Sequence, residues 1–310
     1  MKRVEGISKS FQNKKTIVTI GTFDGVHIGH QKIIKRLIAI GKEKGLKSVV
    51  LTFFPHPRMV LQKNSDIKLL NTIDERESIL ASLGLDQMVI KKFTKEFSNL
   101  SPRDFVKTIL VDHLQAKYII IGYDHQFGKN RSANIEDLKK FGTEFDFEVE
   151  EISAQDVEDV SVSSTKIRTA LLHGDISTAN TYLGYPYFIT GKVIKGKGLG
   201  KNIGFPTANI EIKEDYKLIP KNGVYAVRGS VDNTEFSGMM NIGINPTVEG
   251  THQSIEVHLF DFDEDIYNKQ IKVEFIERIR DEHKFESLDL LKDQLKKDKL
   301  KSKEILENYG

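Results

Sequence analysis

Thr16-Ile17-Val18-Thr19-Ile20-Gly21-Thr22-Phe23-Asp24-Gly25-Val26-His27-Ile28-Gly29-His30 is the stretch that decides the fold of this 310-residue chain. Its first five residues are β-branched and read as a buried strand. From 31 to 40 apolar residues recur at helical spacing, with Ile33, Ile34, Leu37 and Ile38 on one face. A helix that starts near His27 points unpaired backbone N–H groups and a partial positive charge at whatever lies above the strand's end. Gly29 leaves room for close approach, and the imidazoles of His27 and His30 can donate to phosphate oxygens whose charge grows as a leaving group departs. The stretch predicts an anion site that needs no nucleophile. Two other readings compete with it. A plain helix cap would need neither the strand nor the glycines, and a zinc pair lacks the Glu that follows the first His in zinc-protease helices, in a chain with no cysteine.

Outward from this stretch, short apolar runs alternate with amphipathic ones. Strands are expected at 48–53, 87–90, 118–122 and 147–150, and helices at 74–83, 102–113 and 134–141, the pattern of a parallel sheet wound with helices. Such sheets bind ligands at the carboxyl ends of strands. The His27 loop, the Phe54-Pro55-His56-Pro57 turn and the Gly122-Tyr123-Asp124 turn all leave such ends. Beyond Gly184-Tyr185-Pro186 the period falls to two, with glycine-rich turns, as expected of an antiparallel barrel or sandwich. The runs 224–231, 235–242 and 254–260 read this way, as does the alternation of Ile271, Val273 and Phe275 with Lys272 and Glu274. After Phe285, Leu288, Leu291 and Leu295 mark a terminal helix covering the barrel, with the lysines of 292–303 on its wet face. Two domains are expected, 1–184 and 185–310.

A net charge of +2, from 46 basic and 44 acidic residues, provides no global field for nucleic acid or an anionic membrane, so phosphate sites must be local. The absence of cysteine excludes a disulfide framework and thiol chemistry. Neither a secretory leader nor a membrane span is legible, and a cytoplasmic protein acting on small molecules is expected. Self-association is left open.

Two further segments carry chemistry. Val162-Ser163-Ser164-Thr165-Lys166-Ile167-Arg168 opens a helix closed by Gly174. The hydroxyls alone would be ordinary caps, but Lys166 and Arg168 within one turn make a phosphate cradle. Residues 191–198 nearly spell a Walker loop, yet Gly198 stands where Ser or Thr would bind magnesium, and the flanks are extended instead of leading into a helix. What remains is Gly196-Lys197-Gly198-Leu199-Gly200-Lys201-Asn202-Ile203-Gly204-Phe205-Pro206-Thr207-Ala208-Asn209. There Thr207 and Asn209 lie two apart on one face and form a magnesium half-site once phosphates complete it.

In this order the motifs resemble the bifunctional bacterial riboflavin kinase/FAD synthetases. The first half is similar in residues 21–30, Pro55-His56-Pro57, the loop 122–128 and the Ser-Ser-Thr-x-Ile-Arg segment 163–168. The second is similar in the Gly-Phe-Pro-Thr-Ala-Asn signature and in 222–227, 241–247 and 255–262. The chain departs from the family pattern at His125, Ser161 and Lys201. The resemblance implies a HIGH-type α/β nucleotidyltransferase with a Rossmann-like parallel sheet, followed by an antiparallel β-barrel kinase with a C-terminal helix. It implies that ATP phosphorylates riboflavin to FMN and that a second ATP adenylylates FMN to FAD, with Mg2+. By the same resemblance His27 and His30 stabilise departing pyrophosphate, and Thr22, Phe23, Gly29, His56, Asp124, Ser164, Thr165 and Arg168 contact nucleotide or flavin. Gly196, Gly198 and Gly204 line the kinase nucleotide loop, Thr207 and Asn209 hold the metal, Glu256 is the base for the riboflavin 5′-hydroxyl, and Arg280 lies near flavin and nucleotide. The alternative is that one half is catalytically silent and serves as a flavin or nucleotide-binding regulatory module.

Overall fold

The computed structural model describes residues 1–6, 14–63, 65–123, 125–153, 162–196, 198–232, 234–247 and 250–309. They cluster into two compact units, Met1–Ser163 and Ser164–Gly310.

The first unit is a six-stranded, all-parallel sheet in the order β1-β4-β3-β2-β5-β6. Its strands are β1 (Lys2–Glu5), β2 (Thr16–Ile20), β3 (Lys47–Phe54), β4 (Gln87–Lys92), β5 (Ala116–Gly122) and β6 (Glu148–Ile152). All of β2 is buried, because both sheet faces are covered. Val18, Ile20, Val49 and Leu51 point into one apolar cluster, and Ile17 and Val50 into the other. The chain runs from β2 outward through β3 and β4, then crosses to β5 and β6 on the opposite side of β2. The reversal of strand order therefore falls between β2 and β5, where the carboxyl ends open a crevice.

Helix α1 (Ile28–Lys44) buries Ile34, Leu37 and Ile38 against this sheet and stops at Gly45, whose φ of 66° is left-handed. Helix α2 (Ile73–Ser82) is closed at its start by a reciprocal Thr72–Glu75 capping box, and α3 (Ile135–Phe145) by Asn134 and Asp137. The expected helix at 102–113 is a short α-turn, Pro102–Asp104, running into a wider π-type coil, Phe105–His113. At its end Leu114 N donates to Ile109 O, five residues back. Strand β1 was not foreseen: four residues with one buried side chain, Val4, carry no period to detect.

The second unit holds a closed antiparallel barrel in the order β10-β11-β8-β7-β12-β9. Its strands are β7 (Phe188–Ile194), β8 (Ala208–Glu211), β9 (Gly223–Val231), β10 (Thr234–Thr247), β11 (Gly250–Leu259) and β12 (Gln270–Arg280). Helices α4 (Ser164–His173) and α5 (Ile176–Leu183), which the sequence reading grouped with the first half, cluster with this barrel. The reason is visible in their bonds. Asn180 donates to Phe275 O on β12 and accepts from Tyr187 N, Lys221 N donates to Leu171 O, and Gly174 lies flat against Arg278, where a side chain would collide with the Arg278 stem.

The terminal helix, α6 (Leu288–Asn308), covers the barrel as expected, but with its later turns. Leu295, Ile305 and Leu306 pack with Ala226, Met239, Phe260 and Ile276, whereas Leu288 is 68 % exposed. The lysine-rich face is not wholly wet, because the Lys299 and Lys303 ammonium groups lie 5.4 and 5.7 Å from the Phe260 ring centre.

Candidate active sites

In the first unit the loop 21–27 leaves the carboxyl end of β2. Phe23 and Val26 adopt positive φ, 47° and 34°, on either side of Gly25 at 84°. A β-branched residue there is strained by roughly 1–3 kcal/mol. Phe23 and Val26 are 3 % and 0 % exposed, and burial of such side chains contributes about 1.5–3 kcal/mol each, enough to hold the loop in shape.

Asp24, 1 % exposed, anchors the loop from below. It accepts from Leu70 N at 3.0 Å and Asn71 N at 3.3 Å, and lies 3.6 Å from the guanidinium of Arg76, also 1 % exposed. Arg76 donates to Thr52 Oγ1, which donates in turn to Thr22 O.

On this support His27 becomes the N-cap of α1, its Nδ1 accepting from His30 N at 3.4 Å. A ring nitrogen that accepts is unprotonated, so neutral His27 carries its hydrogen on Nε2. The two imidazoles stack at 3.7 Å between centres and 18° between planes, with Phe23 edge-on to His30 at 5.1 Å. Burial pushes His27 down to about 4 against the opposing pull of Asp24. Burial, then His27 and Arg76, hold His30 well below the usual histidine range. The pair is therefore neutral near pH 7, and His30 Nδ1 is buried without a hydrogen-bond partner among the described residues. The cap is made by His27 alone, through Nδ1, and this histidine is buried instead of lying on the surface.

His56, at the carboxyl end of β3, caps the short helix Pro57–Leu61 by accepting from Arg58 N. Asp124, together with Ser161 and Lys197, lies outside the described residues. His125 stacks on Phe127 at 6.3 Å beyond the end of β5. Ser164, Thr165 and Arg168 occupy the first turns of α4, Thr165 exposed and the other two half-buried.

In the second unit the glycine-rich segment arches over β8. Gly198 and Gly204 have φ of 70° and 83°, and between them Leu199–Asn202 forms one helical turn that the sequence did not signal. Phe205 N donates back to Gly200 O at 2.8 Å. A Cβ on Gly200 would strike the Phe205 carbonyl, so glycine is required there for the arch to sit this close, while one on Gly196 would displace the Asn209 carboxamide. Thr207 Oγ1 donates to Glu256 Oε2 at 3.2 Å.

The barrel register places Asn209, Glu256, Asn241, Val224 and Arg280 on one rung across β8, β11, β10, β9 and β12. The rung shares its face with Met239 and Ala226, which pack against α6. Gly196, Thr207, Asn209 and Glu256 are thus brought together. Arg280 sits further round the rung with its guanidinium already engaged: Nε and NH2 donate to Asp298 on α6, at 3.0 and 2.6 Å, and NH1 to Asp281 O.

Two family models match the chain, one described as FAD synthetase over residues 9–166 and one as riboflavin kinase over 183–306. A "Bifunctional riboflavin kinase/FMN adenylyltransferase" from Listeria monocytogenes is 41 % identical over 284 residues, covering 91 % of this chain and 90 % of that protein. The chain belongs to this family. A Buchnera aphidicola member of the same description is 40 % identical over 96 % of both chains. A solved Streptococcus pneumoniae structure described as a macrolide-efflux protein aligns at a TM-score of 0.88 and 31 % identity, over 98 % of this chain and 99 % of that one. The efflux description belongs to that protein. Among the described residues here, no helix is long and apolar enough to cross a membrane.

Set within the riboflavin kinase/FMN adenylyltransferase family, some supporting residues escaped the sequence reading. Asp24 lies within the first motif, where no local signal points to the backbone amides of Leu70 and Asn71 that it accepts from. Arg76 looked like one more charge on an amphipathic helix, since nothing local announces a partner fifty-two positions away. Asn241 was legible only as part of a matching run, and its place beside Glu256 depends on barrel register.

Proposed function

We propose that this chain makes FMN in the barrel and FAD at the crevice of the parallel sheet. What carries the kinase reading is the convergence of Gly196, Thr207, Asn209 and Glu256. The Glu256 carboxylate takes the proton of the riboflavin 5′-hydroxyl as that oxygen attacks the γ-phosphorus of ATP, and the bond to ADP breaks. Thr207, Asn209 and Glu256 are hard oxygen donors with one carboxylate among them. Among the described residues no group of three or more His, Cys, Asp or Glu forms a cage. That donor set fits Mg2+ shared with substrate phosphates, and the ion would neutralise charge on the transferring group. The arch over Gly196–Gly204 supplies the backbone that follows the polyphosphate.

At the crevice the FMN phosphate attacks the α-phosphorus of a second ATP and pyrophosphate leaves. Nε2 of His27 and the ring of His30 meet the charge that develops on it. Thr22, Phe23, Gly29, His56 and Asp124 are assigned to nucleotide or flavin, as are Ser164, Thr165 and Arg168 to phosphate, and Arg280 to the flavin side of the kinase site. We place the functional halves at 1–184 and 185–310, and the activity in the cytoplasm.

Purified protein incubated with riboflavin, ATP and magnesium, with products resolved by chromatography over time, tests this. FMN should appear first and FAD second. FMN without FAD would leave the first half a binding module, and FAD only from supplied FMN would do the same to the barrel.

A further inference from the structure

Two residues beyond Glu256 on β11 stands His258, so both side chains leave the same face of the barrel. His258 is 6 % exposed, and its Nδ1 lies 2.7 Å from the carbonyl oxygen of Pro206. A carbonyl only accepts, so Nδ1 carries the proton and donates. Nε2 is then a bare acceptor, buried and with no hydrogen-bond partner among the described residues. The ring is wedged edge-on between Phe205, at 5.3 Å, and Phe260, at 5.7 Å. An apolar side chain would pack this slot and strand no ring nitrogen. What histidine adds is the single bond to Pro206.

That bond ends between two others. On one side of Pro206, Phe205 N donates to Gly200 O and closes the glycine arch. On the other, the Thr207 hydroxyl donates to Glu256. His258 therefore ties the base of the arch to the strand that carries the carboxylate. Only the β11 backbone step from 256 to 258 separates the tether from the group it serves.

We propose that His258 is a positioning residue for phosphoryl transfer, setting where Thr207 and the arch stand over Glu256 while touching no substrate. The proposal rests on the reading of Thr207, Asn209 and Glu256 as the kinase site. Steady-state FMN and FAD formation would be measured for His258→Asn, His258→Gln, His258→Phe and Glu256→Gln in the full-length chain, with thermal unfolding of each. Asn places a carboxamide nitrogen where Nδ1 stood, and Gln places it one bond too far.

His258→Asn should keep FMN formation within about threefold of the parent. Gln and Phe should lose about tenfold or more in kcat, with a raised KM for ATP, while all three convert supplied FMN to FAD at the parental rate. Equal kcat for Asn and Gln overturns the proposal even if the Phe variant fails to fold, because those two differ only in donor position. Loss of melting temperature without loss of kcat overturns it as well, leaving a packing role. If Glu256→Gln still makes FMN at the parental rate, the site reading itself fails, a result separable from the others.

Discussion

A histidine that caps a helix with its own Nδ1 cannot be protonated there without breaking the cap, so His27 ties the shape of the first site to pH. Its folded value of about 4 lies below the ordinary 6.5, so between those values the unfolded chain binds more protons. Stability should be flat above about pH 6.5 and fall as pH drops toward 4, by on the order of 3 kcal/mol from this group. Urea midpoints measured from pH 7.5 to 4.5 should show that slope, and His27→Asn, a cap that does not titrate, should remove the share His27 contributes and leave that of His30. Removal of catalytic donors should separate the two activities. His30→Ala is expected to cut FAD formation by one or more orders of magnitude with FMN formation intact, and Glu256→Gln to do the reverse, both read in one product assay. At this scale the reactive side chains were legible because each sits in a dense local motif. Their supports were not: Asp24 meets Arg76, and His258 meets Pro206, only after the chain has folded.

Among the elements, the glycine arch makes the sharpest demand on sequence. A methyl group at Gly200 would occupy the space of the Phe205 carbonyl and break the bond that closes the arch. Gly200→Ala should therefore lower FMN formation at least tenfold and leave FAD formation from supplied FMN unchanged, with little loss of melting temperature. Strands β2 to β5, β9 and β12 could be read from apolar runs or alternation because they bury many of their side chains, and β6, of which only Ile152 is fully buried, from the alternation of Phe147 and Val149 with glutamates. Elements with too few residues to show a period could not, among them β1 and the turn Leu199–Asn202. The wide coil Phe105–His113 was read as ordinary helix because a single π-type stretch barely disturbs the spacing of Phe105, Val106, Ile109 and Leu110.

The whole molecule is two units, and the second is braced by its last helix. Asp298 is 1 % exposed and answers the Arg280 guanidinium from two directions. Removal of one partner from a buried pair costs about 3–5 kcal/mol, so Asp298→Ala should lower the melting transition of the barrel and slow FMN formation. In calorimetry a second transition, that of the parallel-sheet unit, should stay in place. The period changes near residue 184, whereas the contacts divide the chain between residues 163 and 164, because a period says nothing about which neighbour a helix pair prefers. Helices α4 and α5 bond to β12 and to the segment before β9, and so fold with the barrel. Anyone wishing to study the kinase alone should therefore begin the gene at residue 164. A fragment starting at 185 would leave Phe275 O, Tyr187 N and Lys221 N without the partners that Asn180 and Leu171 supply, and would be expected to lose stability before it could be assayed.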